Sequence, residues 1–325
     1  MVPGESIASD KVTAVRGRVV ATHTPGREHV AIEVVIPDWP TTSPGQFAQL
    51  RCSGGEPGAA HTIIWPEDGF PSLSNSDTRA RQAYLRRPFS IADRWDDNDG
   101  AHVLFISRTI GPGTAWLADL RRDDELDITG PLGKGFRYPD KAAPIALVGG
   151  GVGIPPLYYI TRCLREMGYT DVTVVFGAAA RELLPVVPHN EPSVEGVPMS
   201  CVQLPGGADY PAIVTTDDGS AGLRGRVTDG LELWYQHYVD SQARGEVLAC
   251  GPEPMLQAVA ALTRRMGSGC QLCIERNMGC GLGTCQSCVV RVREAGAPGW
   301  RWGLTCLEGP VFERNELPDY DTPAG

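Results

Sequence analysis

The sequence predicts an antiparallel β-barrel, then a doubly wound α/β domain with a parallel sheet, then a small cysteine-rich domain. Three observations along its 325 residues support this prediction. Short β-branched runs broken by turns fill the first part, apolar strands alternate with helical segments in the middle, and a loop-like segment rich in cysteine ends the chain. We predict domains over residues 1–141, 142–266 and 267–325.

The barrel is predicted from six β-branched runs separated by turn signals. Such a series of short strands is typical of an antiparallel barrel or sandwich. One helical stretch, TAWLADLRR, interrupts the series, and a polar insertion rich in Gly, Pro and Ser occupies about 53–84. The predicted strands are VTAVRGRVVAT, HVAIEVVIPD, GQFAQLRC, RPFSIAD, HVLFISRT and DELDITGPLG.

The middle of the chain alternates between buried strands and helices. PIALVGG is an apolar strand. The helix after it has its apolar positions at helical spacing, at Ile154, Leu157, Thr161 and Leu164. DVTVVFGA and GEVLACGP are further buried strands, and PMLQAVAALTRRMG is the helix that follows the second of them. This alternation predicts a parallel, doubly wound sheet.

Composition and charge narrow the possible functions. The net charge is −10 and no long basic run occurs, so nucleic acid is not expected as a partner. The start of the chain lacks the pattern of a secretory signal, and the uncharged stretch from Ala143 to Ile160 has too many glycines and prolines to predict a membrane span. We therefore expect a cytoplasmic chain whose ten cysteines are reduced and serve metal or redox chemistry.

Four cysteines near the end of the chain have the spacing of an iron–sulfur site. Cys280, Cys285, Cys288 and Cys306 form C-x4-C-x2-C-x17-C, the plant-type ferredoxin arrangement for a 2Fe–2S cluster. The glycines interleaved with them allow positive φ angles and leave N–H groups free to point at sulfur.

A zinc site is the alternative for the same region. Cys270 and Cys273 form another C-x2-C, so these two could bind zinc together with Cys285 and Cys288. That choice leaves Cys280 and the glycines without a role. Cys273 could also be a small buried residue on a strand.

Two turns in the α/β part are candidates for nucleotide binding. LVGGGVGIPP, at 147–156, places glycines between a buried strand and a helix, where backbone N–H groups can hold a pyrophosphate. In ACGPEPML, at 249–256, a small thiol and a glycine at the end of a strand let a flat ring approach the backbone. A structural glycine turn and an inert buried Cys250 are the simpler interpretations.

In combination, these motifs resemble the ferredoxin–NADP reductase superfamily. Within it, the sequence is most similar to the electron-transfer subunit of class 1B dihydroorotate dehydrogenase, over nearly the whole chain except the insertion. The segments that carry the resemblance are RRPFSIA, GPLGKGF, GGGVGIPP, ACGPEPML, TTDDGSAGLRGRVTDGL, CLEGPVFERNEL and the cysteine cluster.

The resemblance implies roles for individual residues. Arg87 would bind a phosphate of FAD, and Ser90 would lie near the reactive edge of the flavin; Ser90 and Cys250 would be the residues at the reacting rings. Asp217 and Asp218 we interpret as a turn rather than an acid–base pair. The implied FAD-binding residues are Arg87, Pro88, Phe89, Ser90, Gly111, Gly113 and Thr114, and the implied nicotinamide-nucleotide residues are Gly149, Gly150, Gly151, Gly153, Cys250, Gly251 and Pro252.

The resemblance also implies a function. The chain would relay electrons between NAD(H), FAD and the 2Fe–2S cluster, to or from an FMN-containing dihydroorotate dehydrogenase subunit. The two kinds of subunit would form a heterotetramer that acts in pyrimidine biosynthesis. Arg181 follows the second strand of the α/β part and leaves NADP open as an alternative to NAD. A reductase subunit of a hydrogenase, sulfite reductase or transhydrogenase, or a non-enzymatic zinc module on a reductase scaffold, are the alternatives.

Overall fold

The computed structural model describes residues 11–53, 63–64, 72–73, 83, 85–186, 188–204, 208–239 and 244–321. The predicted insertion at 53–84 therefore lies almost wholly outside the described residues. Of it, the structure gives one antiparallel pair of two-residue strands and two single positions. No helix in the described part of the chain has both the length and the hydropathy that crossing a membrane requires.

The N-terminal part is a seven-stranded antiparallel sheet that curls into a barrel, as predicted. The strands are β1 (Thr13–His23), β2 (His29–Ile36), β3 (Phe47–Leu50), the separate pair β4 (Ile63–Ile64) and β5 (Ser72–Leu73), then β6 (Arg87–Ser90), β7 (Asp93–Asp97), β8 (Gly100–Arg108) and β9 (Glu125–Leu132). The order is β6-β3-β9-β1-β2-β8-β7. Ile91 and Ala92 join the two outermost strands and donate backbone hydrogen bonds to Gln46 and Leu104, so the curled sheet closes at this corner.

The middle part is a mainly parallel sheet with helices on both faces. The helix α1 (Pro112–Ala118) comes before β9 in the chain and packs on the barrel. The elements of the middle part are β10 (Ile145–Gly150), α2 (Pro156–Glu166), β11 (Val172–Ala178), β12 (Met199–Leu204), β13 (Ala208–Thr216), β14 (Leu223–Arg224), α3 (Val227–Tyr238), β15 (Glu246–Cys250), α4 (Glu253–Met266) and β16 (Gly269–Cys273). Apolar residues of α2 pack on one face, and those of α3 and α4 on the other. This is the doubly wound α/β fold predicted from the sequence.

The C-terminal part adds a hairpin and one more strand. The hairpin is β17 (Val289–Arg293) with β18 (Trp300–Leu304); the one-turn helix α5 (Thr305–Glu308) and β19 (Val311–Glu313) follow. β19 pairs antiparallel with β16, which itself pairs in parallel with β15. The large sheet thus extends beyond residue 266 on both sides of the cysteine segment, and the boundary at 266/267 stays a prediction.

The barrel and the α/β part meet through a buried ion pair. Arg162 on α2 donates to the Asp93 carboxylate at 2.8 Å and also to the carbonyl oxygen of Arg94. The Asp93 side chain is only 3% exposed, and this burial raises its pKa although Arg162 opposes the shift. Tyr159, one turn earlier in sequence, donates to the carbonyl of Thr42 at 2.9 Å.

Replacing Arg162 by Met is expected to destabilise the protein by about 3 kcal/mol, because it leaves the Asp93 carboxylate buried without its cation. Chemical denaturation of the purified protein measures the loss. The double variant Arg162→Met/Asp93→Leu should recover most of it. Arg265→Met removes an exposed cation 3.8 Å from Glu232 and is the control, expected to cost less than about 1 kcal/mol. Equal losses in the two single variants would show that burial of the pair is not the cause.

Candidate functional site

A cavity of about 960 Å³ lies where the barrel, the parallel sheet and the cysteine segment meet. Its volume is in the range that holds a large organic ligand. The barrel wall consists of Arg87, Pro88, Phe89, Ser90, Ser107 and Gly111 to Thr114; the sheet wall of Gly153, Cys250, Gly251 and Cys273; and the third wall of residues 274–279 with Ser287. All seven residues predicted for FAD and three of the seven predicted for the nicotinamide nucleotide therefore line one space.

Three arginines reach the cavity, but two of them are already paired. Arg108 binds the Glu28 carboxylate through two hydrogen bonds of 2.9 and 2.8 Å, and Arg276 binds Glu253 at 2.7 Å. Among the described residues, the contacts of Arg87 are two backbone carbonyl oxygens at 3.4 and 3.5 Å. Arg87 is thus the cation of this wall that can bind a phosphate group.

Ser107 contributes a polar atom to this wall that the sequence analysis missed. The residue is 7% exposed, and its Oγ has no hydrogen-bond partner within the described residues. A buried hydroxyl that lines a cavity and has no partner among the described residues fits a polar ligand there. Ser107 lies in β8, where its sequence context is that of an ordinary strand.

The turn before α1 is fixed by its own threonine. Thr114 Oγ1 accepts hydrogen bonds from the N–H groups of Ile110 at 3.0 Å and Gly111 at 3.1 Å. A Cβ atom on Gly111 would meet no atom within 4 Å, so the space above the turn is open. Gly113 instead packs against Cys52 and Ala83. The turn is therefore rigid and presents backbone to the cavity.

The glycine turn after β10 packs directly on the end of β15. A Cβ atom on Gly153 would overlap the carbonyl group of Cys250 and the Cα of Gly251. Gly153 is therefore required for the close approach of the two turns that form the sheet wall.

The other predicted nucleotide-binding positions lie around this wall rather than on it. Gly149 and Gly150 lie in β10 and are buried beneath it, and Gly151, with φ of +52°, opens onto free space. These three glycines and Pro252 are not among the residues that line the cavity, so a role for them in nucleotide binding stays a prediction.

Cys250 and Cys273 lie side by side at the bottom of the cavity. They are in register on the parallel strands β15 and β16. The hydrogen bond with Cys273, followed by burial, raises the pKa of Cys250 well above its usual value. Cys250 is therefore a neutral thiol at physiological pH, suited to pack against a ring and not to act as a nucleophile.

The four predicted cluster cysteines approach one another in two pairs. Cys280 Sγ accepts hydrogen bonds from the N–H groups of Leu282 at 3.3 Å and Cys285 at 3.4 Å. Ser287 Oγ lies 3.2 Å from Cys285 Sγ, and its hydrogen bonding is the main cause that lowers the Cys285 pKa to about 6.

Cys288 and Cys306 form the second pair and are both buried. Burial, followed by the hydrogen bond to Cys288, raises the pKa of Cys306 to about 12. The loop between the two members of the first pair, Cys280 and Cys285, needs left-handed backbone at Gly281 (φ +73°) and Gly283 (φ +84°). Two thiols for each iron, with N–H groups directed at sulfur, fit a 2Fe–2S cluster.

The zinc alternative is wrong, because its cysteines point in different directions. Cys270 packs in the core on the α4 face of the sheet, whereas Cys273 packs on the opposite face and lines the cavity. Two residues three apart on one strand cannot turn both thiols to a single ion.

Outside the cavity, Arg181 follows β11, and a turn of two aspartates follows β13. Arg181 forms an ion pair with Glu191 at 2.9 Å. Asp217 and Asp218 form a turn, as predicted, and Asp218 accepts hydrogen bonds from the Ser220 hydroxyl at 2.6 Å and its N–H at 2.9 Å. These bonds lower the pKa of Asp218.

The fold is of the ferredoxin–NADP reductase type. The structure is similar to that of an NADH-dependent reduced ferredoxin–NADP oxidoreductase, with a TM-score of 0.67 and 23% identity over 93% of this chain and 89% of that one. It is also similar to a ferredoxin NADP+ reductase from Neisseria gonorrhoeae with bound FAD and NADP, with a TM-score of 0.51 and 14% identity over 82% and 95% of the two chains.

Sequence comparison identifies the family within this class. Residues 275–318 match the iron–sulfur cluster binding domain of dihydroorotate dehydrogenase B. The chain is 35% identical over 280 residues to the dihydroorotate dehydrogenase B (NAD(+)) electron transfer subunit of Bacillus velezensis, covering 85% of this chain and 87% of that protein. It is 37% identical to the subunit of the same name from Shouchella clausii, over 72% and 80% of the two chains. The chain belongs to the family of dihydroorotate dehydrogenase B electron transfer subunits.

Family membership confirms the resemblance found in the sequence and, with the fold, supports the predicted cofactors: FAD, a 2Fe–2S cluster and NAD(H). Sequence reasoning missed Ser107, Cys273 and Ser287 as residues of the site. Only Ser287 had a local signal, since it stands between two cluster cysteines.

Proposed function

We propose that this chain relays electrons between NAD(H) and the catalytic subunit of a dihydroorotate dehydrogenase B, through FAD and a 2Fe–2S cluster, and that the catalytic subunit contains FMN. One observation carries the proposal: a single cavity is lined by the flavin-type barrel strand, by the Gly153–Cys250 wall and by the start of the cysteine loop. FAD supplies the required chemistry, because it exchanges hydride with a nicotinamide and single electrons with a cluster.

The barrel residues would hold FAD in this cavity. Arg87 binds its phosphates, Ser90 and Ser107 offer hydroxyl groups to the polar edge of the ring system, and the Gly111 turn leaves room for the backbone to approach. Hydride transfer between two rings needs no acid or base from the protein, and the thiol of Cys250 at the sheet wall is neutral. The role of the protein in hydride transfer is then to align the two rings and to exclude water.

The cysteine loop would hold the cluster within reach of the same cavity. Met278, Gly279 and Ser287 line the cavity, and Ser287 Oγ lies 3.2 Å from Cys285 Sγ. Asn277 and Gly279 fix Ser287 through hydrogen bonds of 3.2 and 3.0 Å. Ser287 would therefore lie between the FAD cavity and the cluster.

Reconstitution with a catalytic subunit tests the proposed partner. Dihydroorotate should reduce NAD+ only when this chain and an FMN-containing dihydroorotate dehydrogenase subunit are mixed, and the two should co-elute as one complex. The FMN content of the complex checks the finer claim. Absence of coupled activity with a subunit that is active on its own with an artificial acceptor would contradict this partner assignment.

NADH is expected to be a much better substrate than NADPH, because Glu191 neutralises Arg181 and ionised Asp218 lies close by, both of which disfavour a 2′-phosphate. Glu191→Gln frees the Arg181 guanidinium and should raise kcat/KM for NADPH by roughly tenfold, about 1.4 kcal/mol, with little change for NADH. Steady-state kinetics with ferricyanide measure both. Glu195→Gln removes the same charge from the same loop and is the control. An equal gain in the control would refute the role of the Arg181–Glu191 pair.

A further inference from the structure

Gln49 is a buried glutamine whose amide has no hydrogen-bond partner among the described residues. It lies in β3 and is 0% exposed. Neither Nε2 nor Oε1 has a hydrogen-bond partner within the described part of the chain. A buried amide without partners costs about 1–3 kcal/mol, so its presence indicates a group that it binds.

The alternation of β3 directs Gln49 away from the barrel core. Ala48 and Leu50 belong to the barrel core, whereas Phe47 faces the other way and packs with Cys288 and Cys306. Residues two apart on a strand share a face. Gln49 is therefore on the same side as Phe47, toward the cysteine loop.

Gly281 shows where the amide of Gln49 lies. A Cβ atom on Gly281 would be 2.9 Å from both Cγ and Nε2 of Gln49. Gly281 directly follows Cys280 and has φ of +73°, so the loop both bends there and leaves space for the glutamine. Gln49 does not line the FAD cavity, and its amide thus faces the cysteine loop and not the flavin site.

We propose that Gln49 Nε2 donates a hydrogen bond to a sulfur atom of the 2Fe–2S cluster and raises the reduction potential of that cluster. The inference rests on the proposed function, which places a cluster on Cys280, Cys285, Cys288 and Cys306. Reduction adds negative charge to the cluster sulfurs, and a donor at sulfur stabilises the reduced state more than the oxidised one. Gln49 is a positioning and tuning residue, and it ties the barrel to the cluster loop.

The proposed hydrogen bond would have a different origin from the backbone hydrogen bonds that Cys280 Sγ accepts. The N–H groups of Leu282 and Cys285 come from the loop itself. Gln49 comes from the barrel, 231 positions before Cys280 in the chain, and from the strand next to β6, which carries the FAD residues. The hydrogen bond from Gln49 to the cluster can therefore form only when the barrel and the cysteine loop are packed against each other.

The test is an EPR-monitored redox titration of full-length holoprotein carrying Gln49→Leu, which removes the donor and keeps most of the volume. We expect the equilibrium constant for one-electron reduction of the cluster to fall about tenfold, equal to a shift of about 59 mV to lower potential. The FAD potential should not change. Resonance Raman spectra in H2O and D2O should show a smaller isotope shift of the Fe–S bands than in the wild type.

Gln271→Leu is the matched control. Gln271 is also a buried glutamine, but its amide is satisfied by the backbone of Arg137 through two bonds of 2.8 Å. Its replacement should lower stability and leave the cluster potential unchanged. Gln49→Met provides a second variant in case the leucine variant loses the cluster: its unbranched side chain resembles glutamine in shape and has no donor, so the potential should fall by a similar amount.

Two outcomes would overturn the inference: an unchanged potential and isotope shift in both Gln49 variants, or an equal shift in Gln271→Leu. Failure of the proposed function looks different. In that case the reduced wild-type protein itself would lack the EPR signal of a 2Fe–2S cluster.

Discussion

Replacing Cys285 by Ser is expected to abolish the visible and EPR signals of the 2Fe–2S cluster while FAD stays bound and NADH still reduces it. Cys285 is the exposed member of the first cysteine pair, and a serine hydroxyl is a poor substitute for a soft thiolate ligand. Electron transfer to the catalytic subunit should fall at least 100-fold, since removal of the cluster interrupts the route. Iron and acid-labile sulfide analysis, with absorption spectra, measures the loss.

Cys270→Ala is the control for the cysteine assignment. It removes a buried thiol that the rejected zinc set requires and the cluster set does not. We expect it to keep the full cluster spectrum with a modest loss of stability. A cluster spectrum that survives in Cys285→Ser, or disappears in Cys270→Ala, would contradict the ligand set.

Gly153→Ala is expected to lower kcat/KM for NADH by about 100-fold, because the added methyl group overlaps the backbone of Cys250 and Gly251 and displaces the wall proposed to bind the nicotinamide. FAD and the cluster should remain, since the atoms nearest to the added methyl group belong to Cys250 and Gly251 and not to the barrel or the cysteine loop. Stopped-flow reduction by NADH measures the rate of the hydride step.

Gly151→Ala provides the comparison for this turn. Gly151 has φ of +52°, but a methyl group there meets no atom within 4 Å. It adds backbone strain of about 1–2 kcal/mol without the overlap, so its effect should be much smaller. If the two variants were equally impaired, backbone strain rather than the contact with Cys250 would explain the loss.

Local patterns in the sequence were sufficient to predict the fold. The periods of the β-branched and apolar runs predicted the barrel and the α/β sheet. The spacing of Cys280, Cys285, Cys288 and Cys306 predicted the cluster site. Such features depend on neighbours within a few residues. The resemblance then brought Arg87, Ser90 and Cys250 together, and the structure places all three on one cavity.

The residues that the sequence analysis missed depend on contacts between distant parts of the chain. Cys273 joins the site because β16 pairs with β15 in register, and Ser107 because β8 curls toward β6. Gln49 gains its significance from Gly281, far along the chain. No local pattern marks these residues, and the division at residue 266 did not anticipate that β16 and β19 complete the large sheet.

A visible spectrum of anaerobically purified protein, recorded before and after addition of NADH, tests the central claim most directly. The account predicts flavin and iron–sulfur bands that both bleach with NADH, and a far slower response to NADPH on a fresh sample. A protein that binds FAD but shows no iron–sulfur absorbance, or one whose bands do not respond to NADH, would contradict the proposed relay.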